Sequence, residues 1–446
     1  MSKHFRPWNI DQTLLLPPSV QDFVSKDHVS RFIVGLARES LDLRAITGSY
    51  VSGLGQPPFD PRMMVALLLH GYASGLYSSR RIARACCERN DFVMIVALDP
   101  PDFRTISDFR KRHLKALGEL FLQVLKLCET AGLVKLGHVA LDGTKIKANA
   151  SKHKAMSYER MKKREAELKA DVACMLAAAE AADAQEDETF GKDKRGDEMP
   201  DWASDKKKRL AKIQEAMAAL EAEAKLAAEE ERRIEAEKEQ QRNTEGRKKP
   251  GKPAAPPSDQ PDPKAQRNFT DPESRIMKSK EGFVQAYNAQ AAVDAEAQII
   301  VAHELTQCGS DQGQLVPLVE AIENNLGRKP QQASADSGYC SEPNLEALVA
   351  RGIDGYVAPG RAKHPAAVNG KAGPLTQLMR KKIDDGGFET PYRLRKQVVE
   401  PVFGQIKQAR GFRQFLLRGV EKVRAEWAMI CTTHNLLKLF VLAKAA

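Results

Sequence analysis

Three carboxylates stand out by their surroundings. Asp142 lies in V-A-L-D-G-T, Asp336 closes A-S-A-D-S-G-Y, and Glu400 lies in Y-R-L-R-K-Q-V-V-E-P-V-F-G-Q-I-K. A carboxylate set among apolar residues is costly to bury unless it is paired or holds a cation. Three such groups converging from different elements supply hard oxygen ligands for Mg2+ or Mn2+. Two ions about 4 Å apart can activate a water or a 3′-hydroxyl and stabilise the leaving oxygen of a phosphoryl transfer. Each acid also has a plainer reading. Asp142 with Gly143 can form a hairpin turn, Asp336 an Asx turn or helix cap, and Glu400 an ion pair with Arg395 or Lys396.

The cations around them point the same way. Residues 393–424 carry nine positive side chains, Arg393, Arg395, Lys396, Lys407, Arg410, Arg413, Arg418, Lys422 and Arg424, against Glu400 and Glu421. That cluster is a candidate phosphate-facing surface, with a solvated helix face as the alternative. The chain has 446 residues and a net charge of +10. Residues 151–270 hold 26 Lys+Arg and 26 Asp+Glu, so the whole excess lies outside them. The longest apolar runs fall far short of the roughly 18 residues that span a bilayer. The start, M-S-K-H-F-R-P-W-N-I, has no apolar signal core. Seven scattered cysteines without a C-x-x-C pair disfavour a disulfide framework or zinc ribbon and suit a reduced cytosol. No G-x-x-x-x-G-K-[ST] loop occurs, so nothing suggests an ATP-driven machine.

The elements that must position these groups follow from periodicity and caps. Residues 1–135 read as helical. Pro61 opens one helix, Ser78 or Ser79 caps a second, and Ile106 to Leu127 mark the buried face of a long amphipathic third. Arg80, Arg81, Arg84, Arg89, Arg104, Arg110 and Arg112 on these helices suit either a helix-turn-helix DNA binder or a plain helical cap. Residues 138–149 read as strand–turn–strand around D-G-T. Residues 158–179 and 210–234 read as an antiparallel helical hairpin with a modest heptad seam, broken by an acidic stretch. The Pro-rich residues 247–266 read as a disordered linker. Strands and helices then alternate, with Ser310 and Ser341 as helix caps, a strand ending at Asp336 and a loop over 359–389. Asn288 and Gln290 read as a polar edge face, Asp294 as a turn residue, and the histidines as core or surface groups. Without 151–270, the order is that of a mixed α/β sheet.

The set D-G-T, A-D-S-G-Y and Y-x-x-R…E…K resembles the DDE transposases of bacterial insertion sequences. The blocks P-P-F-D-P-R-M-M-V-A-L-L-L-H-G-Y-A-S-G-L-Y-S-S-R-R-I-A-R-A-C-C-E-R-N-D-F, D-P-E-S-R-I-M-K-S-K-E-G-F-V-Q-A-Y-N-A-Q-A-A-V-D and V-E-P-V-F-G-Q-I-K-Q-A-R-G-F-R-Q-F-L-L-R-G resemble further regions of that family, in the same order. The resemblance implies an RNase H-like mixed sheet flanked by helices, over 136–150 and 271–446. That sheet is interrupted by the helical insertion and linker of 151–270 and preceded by a DNA-end-binding helical domain over 1–135. It implies Asp142, Asp336 and Glu400 as catalytic ligands of two Mg2+ or Mn2+ ions. Tyr392, Arg395 and Lys407 match the Y-R-E-K signature and would contact DNA, as would Arg393, Lys396 and Arg410. Four residues separate Arg395 from Glu400 where the common pattern has three, so Arg393 and Lys396 are alternative occupants of the arginine role. Phe103 stands where relatives often show histidine. The implied activity is metal-dependent cleavage at element ends and transfer of the 3′-hydroxyl to target DNA. The implied partners are double-stranded DNA carrying terminal inverted repeats and a second copy or more of the chain, in the bacterial cytoplasm beside the nucleoid. A non-catalytic DNA-binding scaffold and a hydrolytic nuclease of the same fold are the rival readings.

Overall fold

The computed structural model describes residues 19–50, 57–190, 201–244, 256–279, 282–360, 373–386 and 390–445. Among the described residues seven α-helices come first: α1 (Val29–Glu39), α2 (Arg44–Thr47), α3 (Pro61–Ala73), α4 (Ser79–Glu88), α5 (Asn90–Val96), α6 (Phe103–Arg112) and α7 (Leu114–Thr130). Asp60 caps α3 by accepting from the Arg62 amide at 2.8 Å, with Pro61 in the first turn. Residues 64–73 are all buried, as expected of a helix that is apolar all round. The long third helix of the sequence reading is two helices, α6 and α7, separated at His113.

The sheet is built from β1 (His138–Lys147), β4 (Arg275–Ser279), β5 (Gly282–Asp294), β6 (Ile300–Thr306), β7 (Gln332–Ala335) and β8 (Asp354–Val357). Its order is β4-β5-β1-β7-β8, with β6 also alongside β5. β1 runs antiparallel to β5 and parallel to β7, and β7 runs parallel to β8. D-G-T is therefore not a turn. β1 passes straight through it, with Asp142 opposite Ala291 and Gly143 opposite Gln290. Helices α10 (Leu315–Leu326) and α11 (Glu342–Ala350) join the parallel strands. Ser341 caps α11, whereas α10 starts beyond a short turn over Gln312–Gln314, so Ser310 is not its cap. Part of the expected loop over 359–389 is a helix, α12 (Pro374–Asp385), while 361–372 and 387–389 lie outside the described residues.

Helix α13 (Pro391–Gly404) continues through Pro401 into a π turn (Gln405–Ala409), and α14 (Val420–Ala445) ends the fold. α14 ties the front helices to the sheet. Trp427 is buried and donates to the Gln290 carbonyl at 3.0 Å. The Asn435 side chain accepts from the Ile300 amide at 2.9 Å and donates to its carbonyl at 2.8 Å. One continuous hydrophobic core consequently runs from α1 through α14 into the sheet.

The insertion has its own small core. Helices α8 (Tyr158–Phe190) and α9 (Asp201–Thr244) pack through Tyr158, Met161, Leu168, Ile213, Ala216, Met217 and Leu220. The seam stops there, since Leu226 and Ile234 are exposed. A two-stranded stem, β2 (Ala155–Ser157) with β3 (Gln266–Asn268), closes its base. The acidic stretch is helical to Phe190. The expected linker begins partly outside the described residues, but its end is ordered against α9: Arg232 donates to the Pro257 carbonyl at 3.2 Å and to Asp259 at 2.7 Å.

Candidate active site

The parallel pairing of β1 with β7 sets Leu141 opposite Ala335. Asp142 and Asp336, the next residue on each, are thereby neighbours at the same level of two adjacent strands. Asp336 also caps the turn that follows, accepting from the Gly338 amide at 2.8 Å. Its capping role and its place beside Asp142 coexist. Asp142 Oδ1 accepts from the Gly143 amide at 2.8 Å, and Oδ2 takes Arg395 Nη1 at 3.1 Å. Burial pushes the Asp142 carboxyl up to about 6; Arg395 opposes the rise, and the charges of Asp336 and Asp311 add to it.

Helix α13 delivers Arg395, which is buried. Glu400 lies on an exposed part of the same helix. Arg395 pairs with Asp142 and not with Glu400, so the local ion pair read from the sequence does not form. Lys407 sits in the π turn and reaches β1, donating to the Lys145 carbonyl at 3.0 Å and to the Thr144 hydroxyl. An i→i+5 turn of this kind shifts the helical phase, so seven residues from Glu400 to Lys407 do not span two uniform α-turns. Tyr392 is half-buried in the first turn of α13, and Arg393 and Lys396 are exposed.

Arg410 departs from the sequence reading. It is 6% exposed, points into the core and donates to the Thr433 hydroxyl at 2.7 Å and the Ile430 carbonyl at 3.2 Å. Burial holds its guanidinium down at about 9. It belongs to the packing of α14 and does not face solvent where DNA would lie. The basic run 393–424 is correspondingly not one surface: Arg395 and Arg410 are internal, and Arg418 and Arg424 are bonded to the Asn149 carbonyl and to Glu304.

The site contains an acid that sequence reasoning passed over. Asp311, between β6 and α10, takes Lys145 Nζ on both oxygens at 3.1 Å, Asn288 Nδ2 at 2.6 Å and Gln290 Nε2 at 2.8 Å. Asn288 and Gln290 are fully buried and not a polar edge face. Their burial as a pair of amides on one side of β5 was the available signal, because buried amides require partners. Gln290 also accepts from the Tyr339 hydroxyl, which burial and then the Asp311 charge keep protonated. Asp311 explains the glycine of D-G-T. A Cβ on Gly143 would come within 2.6 Å of Asp311 Oδ1. Asp294 ends β5 at the turn as read, Oδ1 accepting from the Glu296 amide at 3.0 Å, and its Oδ2 also accepts from the Leu136 amide at 2.6 Å and the Lys135 amide at 3.2 Å.

Asp142 and Asp336 fit a divalent cation. They are adjacent hard-oxygen donors, and Arg395 alone does not offset the burial and charge that raise Asp142. Among the described residues no three acidic, histidine or cysteine side chains are grouped to hold one ion together.

A six-stranded sheet in which β4, β5, β6 and β1 pair antiparallel and β7 and β8 extend it in parallel, with helices on its faces, Asp142 within β1 and Asp336 just beyond β7, is an RNase H-like architecture of the transposase kind. Comparison with family models extends this. Residues 361–440 match a transposase DDE domain, and residues 18–112 match a transposase domain (DUF772). No curated protein and no solved structure matches the chain. The two matches, one at each end, indicate a DDE transposase of the insertion-sequence type. No helix among the described residues is long and apolar enough to cross a membrane.

Proposed function

We propose that the chain cuts DNA at the ends of its element and joins the freed 3′-hydroxyl to target DNA, with Asp142, Asp336 and Glu400 as the acids. The observation that carries this reading is the parallel register of β1 with β7, which sets Leu141 opposite Ala335 and so brings the next residues, Asp142 and Asp336, side by side. These two would hold the metal, with Glu400 as the third acid from α13. Mg2+ or Mn2+, two ions in the full site, would supply activation of the attacking oxygen and charge stabilisation at the leaving one. The protein's own groups have separate tasks. Arg395 holds the Asp142 carboxylate in place. Lys407, anchored on β1 at Thr144 and Lys145, offers a cation for a phosphate beside the cut. Tyr392, Arg393 and Lys396, on the open side of α13, would steer the strand. The partners are duplex DNA with terminal inverted repeats, target DNA and further copies of the chain, in the bacterial cytoplasm.

The test is incubation of the purified chain with duplexes that carry the DNA flanking its coding sequence. Nicked and joined products are expected with Mg2+ or Mn2+ and lost with Asp142→Ala, Asp336→Ala or Glu400→Ala. Full activity of any of these variants would remove that acid from the site. Nicks without joined products would favour a hydrolytic nuclease. The exposure of Glu400 favours one rival, a DNA-binding protein that no longer cuts, and tight binding with no metal-dependent nick is its signature.

A further inference from the structure

The stretch from α4 through α6 carries seven arginines, and the structure sorts them. Arg89 pairs with Asp91 at 2.6 Å, and Arg84 pairs with Glu88 at 2.7 Å. Arg110 is buried, donating to the Tyr77 carbonyl at 2.9 Å and to the hydroxyls of Tyr72 and Ser79 at 3.3 Å. Arg112 lies 6.0 Å from the centre of the Tyr50 ring. Arg80, Arg81 and Arg104, like Arg112, are exposed. None of the three forms an ion pair among the described residues. Asp102, the acid beside Arg104, caps α6 through the Thr105 amide at 2.6 Å and attracts the Arg104 charge without a direct ion pair.

Two of these arginines converge on one ring. Arg80 from α4 lies 5.0 Å from the centre of Phe103, and Arg104 from α6 lies 5.7 Å from it. Phe103 is 37% exposed. A guanidinium resting on an aromatic face is held in position, yet its charge is not neutralised and its N–H edge stays available. Fixing two long side chains beforehand lowers the ordering cost of binding. The face stands on the same body as the candidate active site. Tyr77, just before α4, donates to the Gly411 carbonyl at 3.2 Å and packs on Phe412 at 4.4 Å, next to the turn that carries Lys407.

We propose that Arg80 and Arg104, seated on Phe103 with Arg81 alongside, form a preset clamp for the phosphate backbone of duplex DNA entering the site. The clamp rests on the transposase reading for its context, and its own evidence is the shared ring and the unpaired cations. Planar cations on a firm platform suit phosphate oxygens, and exposed cations that form no direct ion pair among the described residues suit a polyanion.

The experiment uses the full chain and a fluorescein-labelled duplex of random sequence, with anisotropy followed over a salt series. Compared are the wild type, Arg80→Ala/Arg104→Ala, Phe103→Leu, and Arg233→Ala on the insertion as a surface control. The double variant is expected to bind more weakly and to lose about two from the slope of log affinity against log salt, at about 0.9 per phosphate contact. Phe103→Leu keeps both charges, so its affinity falls while its slope stays near that of the wild type. Arg233→Ala matches the wild type. A double variant with the wild-type slope and affinity overturns the clamp, as does a Phe103→Leu protein that binds normally. The two readings fail separately. A chain that never nicks DNA but loses slope in the double variant keeps the clamp and loses the chemistry. A chain that nicks in Mn2+ with an unchanged slope does the reverse.

Discussion

Gly143→Ala isolates the reason for the glycine in D-G-T. Gly143 is not among the glycines with positive φ, so its backbone suits alanine. The obstacle is space. The new Cβ would lie 2.6 Å from Asp311 Oδ1 and 3.0 Å from Gln290 Cδ, with the Gln290 amide nitrogen closer still. Gln290 cannot retreat, because it is fully buried and held by Asp311 and Tyr339. Overpacking of this kind costs about 1–3 kcal/mol. Displacing Asp311 from a buried amide adds about 1–3 kcal/mol. A loss of about 2–6 kcal/mol is therefore expected in urea unfolding. The fluorescence of Trp427, whose indole donates to the Gln290 carbonyl at 3.0 Å, gives a local readout. In a Gln290→Ala background the nearest obstruction is gone while Asp311 Oδ1 stays 2.6 Å from the new Cβ, so the same substitution is expected to cost less, about 1–3 kcal/mol. An equal cost in both backgrounds, or a neutral Gly143→Ala, would refute the close-approach argument.

Three further outcomes are expected. Burial holds His434 down at about 3, with Nε2 on the Gln298 carbonyl at 2.9 Å. The unfolded chain binds that proton from 6.5 downward, so stability falls with acid between 6.5 and about 3, by about 1.4 kcal/mol per pH unit. His434→Asn should show a shallower decline of the urea midpoint over that window, and an identical decline would contradict it. Arg410→Ala should cost about 2–4 kcal/mol through a cavity and two stranded acceptors, with the salt slope of DNA binding unchanged. A slope reduced by about one without loss of stability would return Arg410 to the DNA surface. Replacing 152–267 by a short Gly-Ser link should leave the main core folded. Asn268 Nδ2 already bonds the Ser151 carbonyl at 2.7 Å, and the insertion packs in a separate core. The ion pairs lost with it, Glu223 to Arg267 and Arg275, involve a half-exposed carboxylate and are worth about 1 kcal/mol or less each. A large drop in the thermal midpoint would show that the insertion supports the sheet.

Much of the fold was legible where local chemistry decides. Pro61 opens α3 with Asp60 as its cap, Ser341 caps α11, and the strand read as ending at Asp336 ends one residue earlier, at Ala335. The mixed order of the sheet followed from strands in series and then alternation. Reading failed where partners are remote. D-G looked like a turn because that pair alone favours one, and only pairing with β5 on one side and β7 on the other keeps β1 straight. The π turn at Gln405–Ala409 was invisible for the same reason, since Lys407 takes its direction from contacts on β1. Asp311 sits in G-S-D-Q-G, which reads as a cap, and its amide and lysine partners lie on β5 and β1.

By itself the sequence determined the repertoire: which carboxylates and cations exist, which segments are helix or strand, and where a neutral insertion interrupts a basic chain. Caps, apolar spacing and turn residues act over a few residues, so they survive in one dimension. Tertiary structure alone decided the assignments. It set Asp142 beside Asp336, gave Arg395 to Asp142 and not to Glu400, sent Arg410 inward, and left Arg80 and Arg104 together on one ring. Strand register and burial make those choices. They select partners hundreds of residues apart by the requirement that each buried charge and amide find a complement.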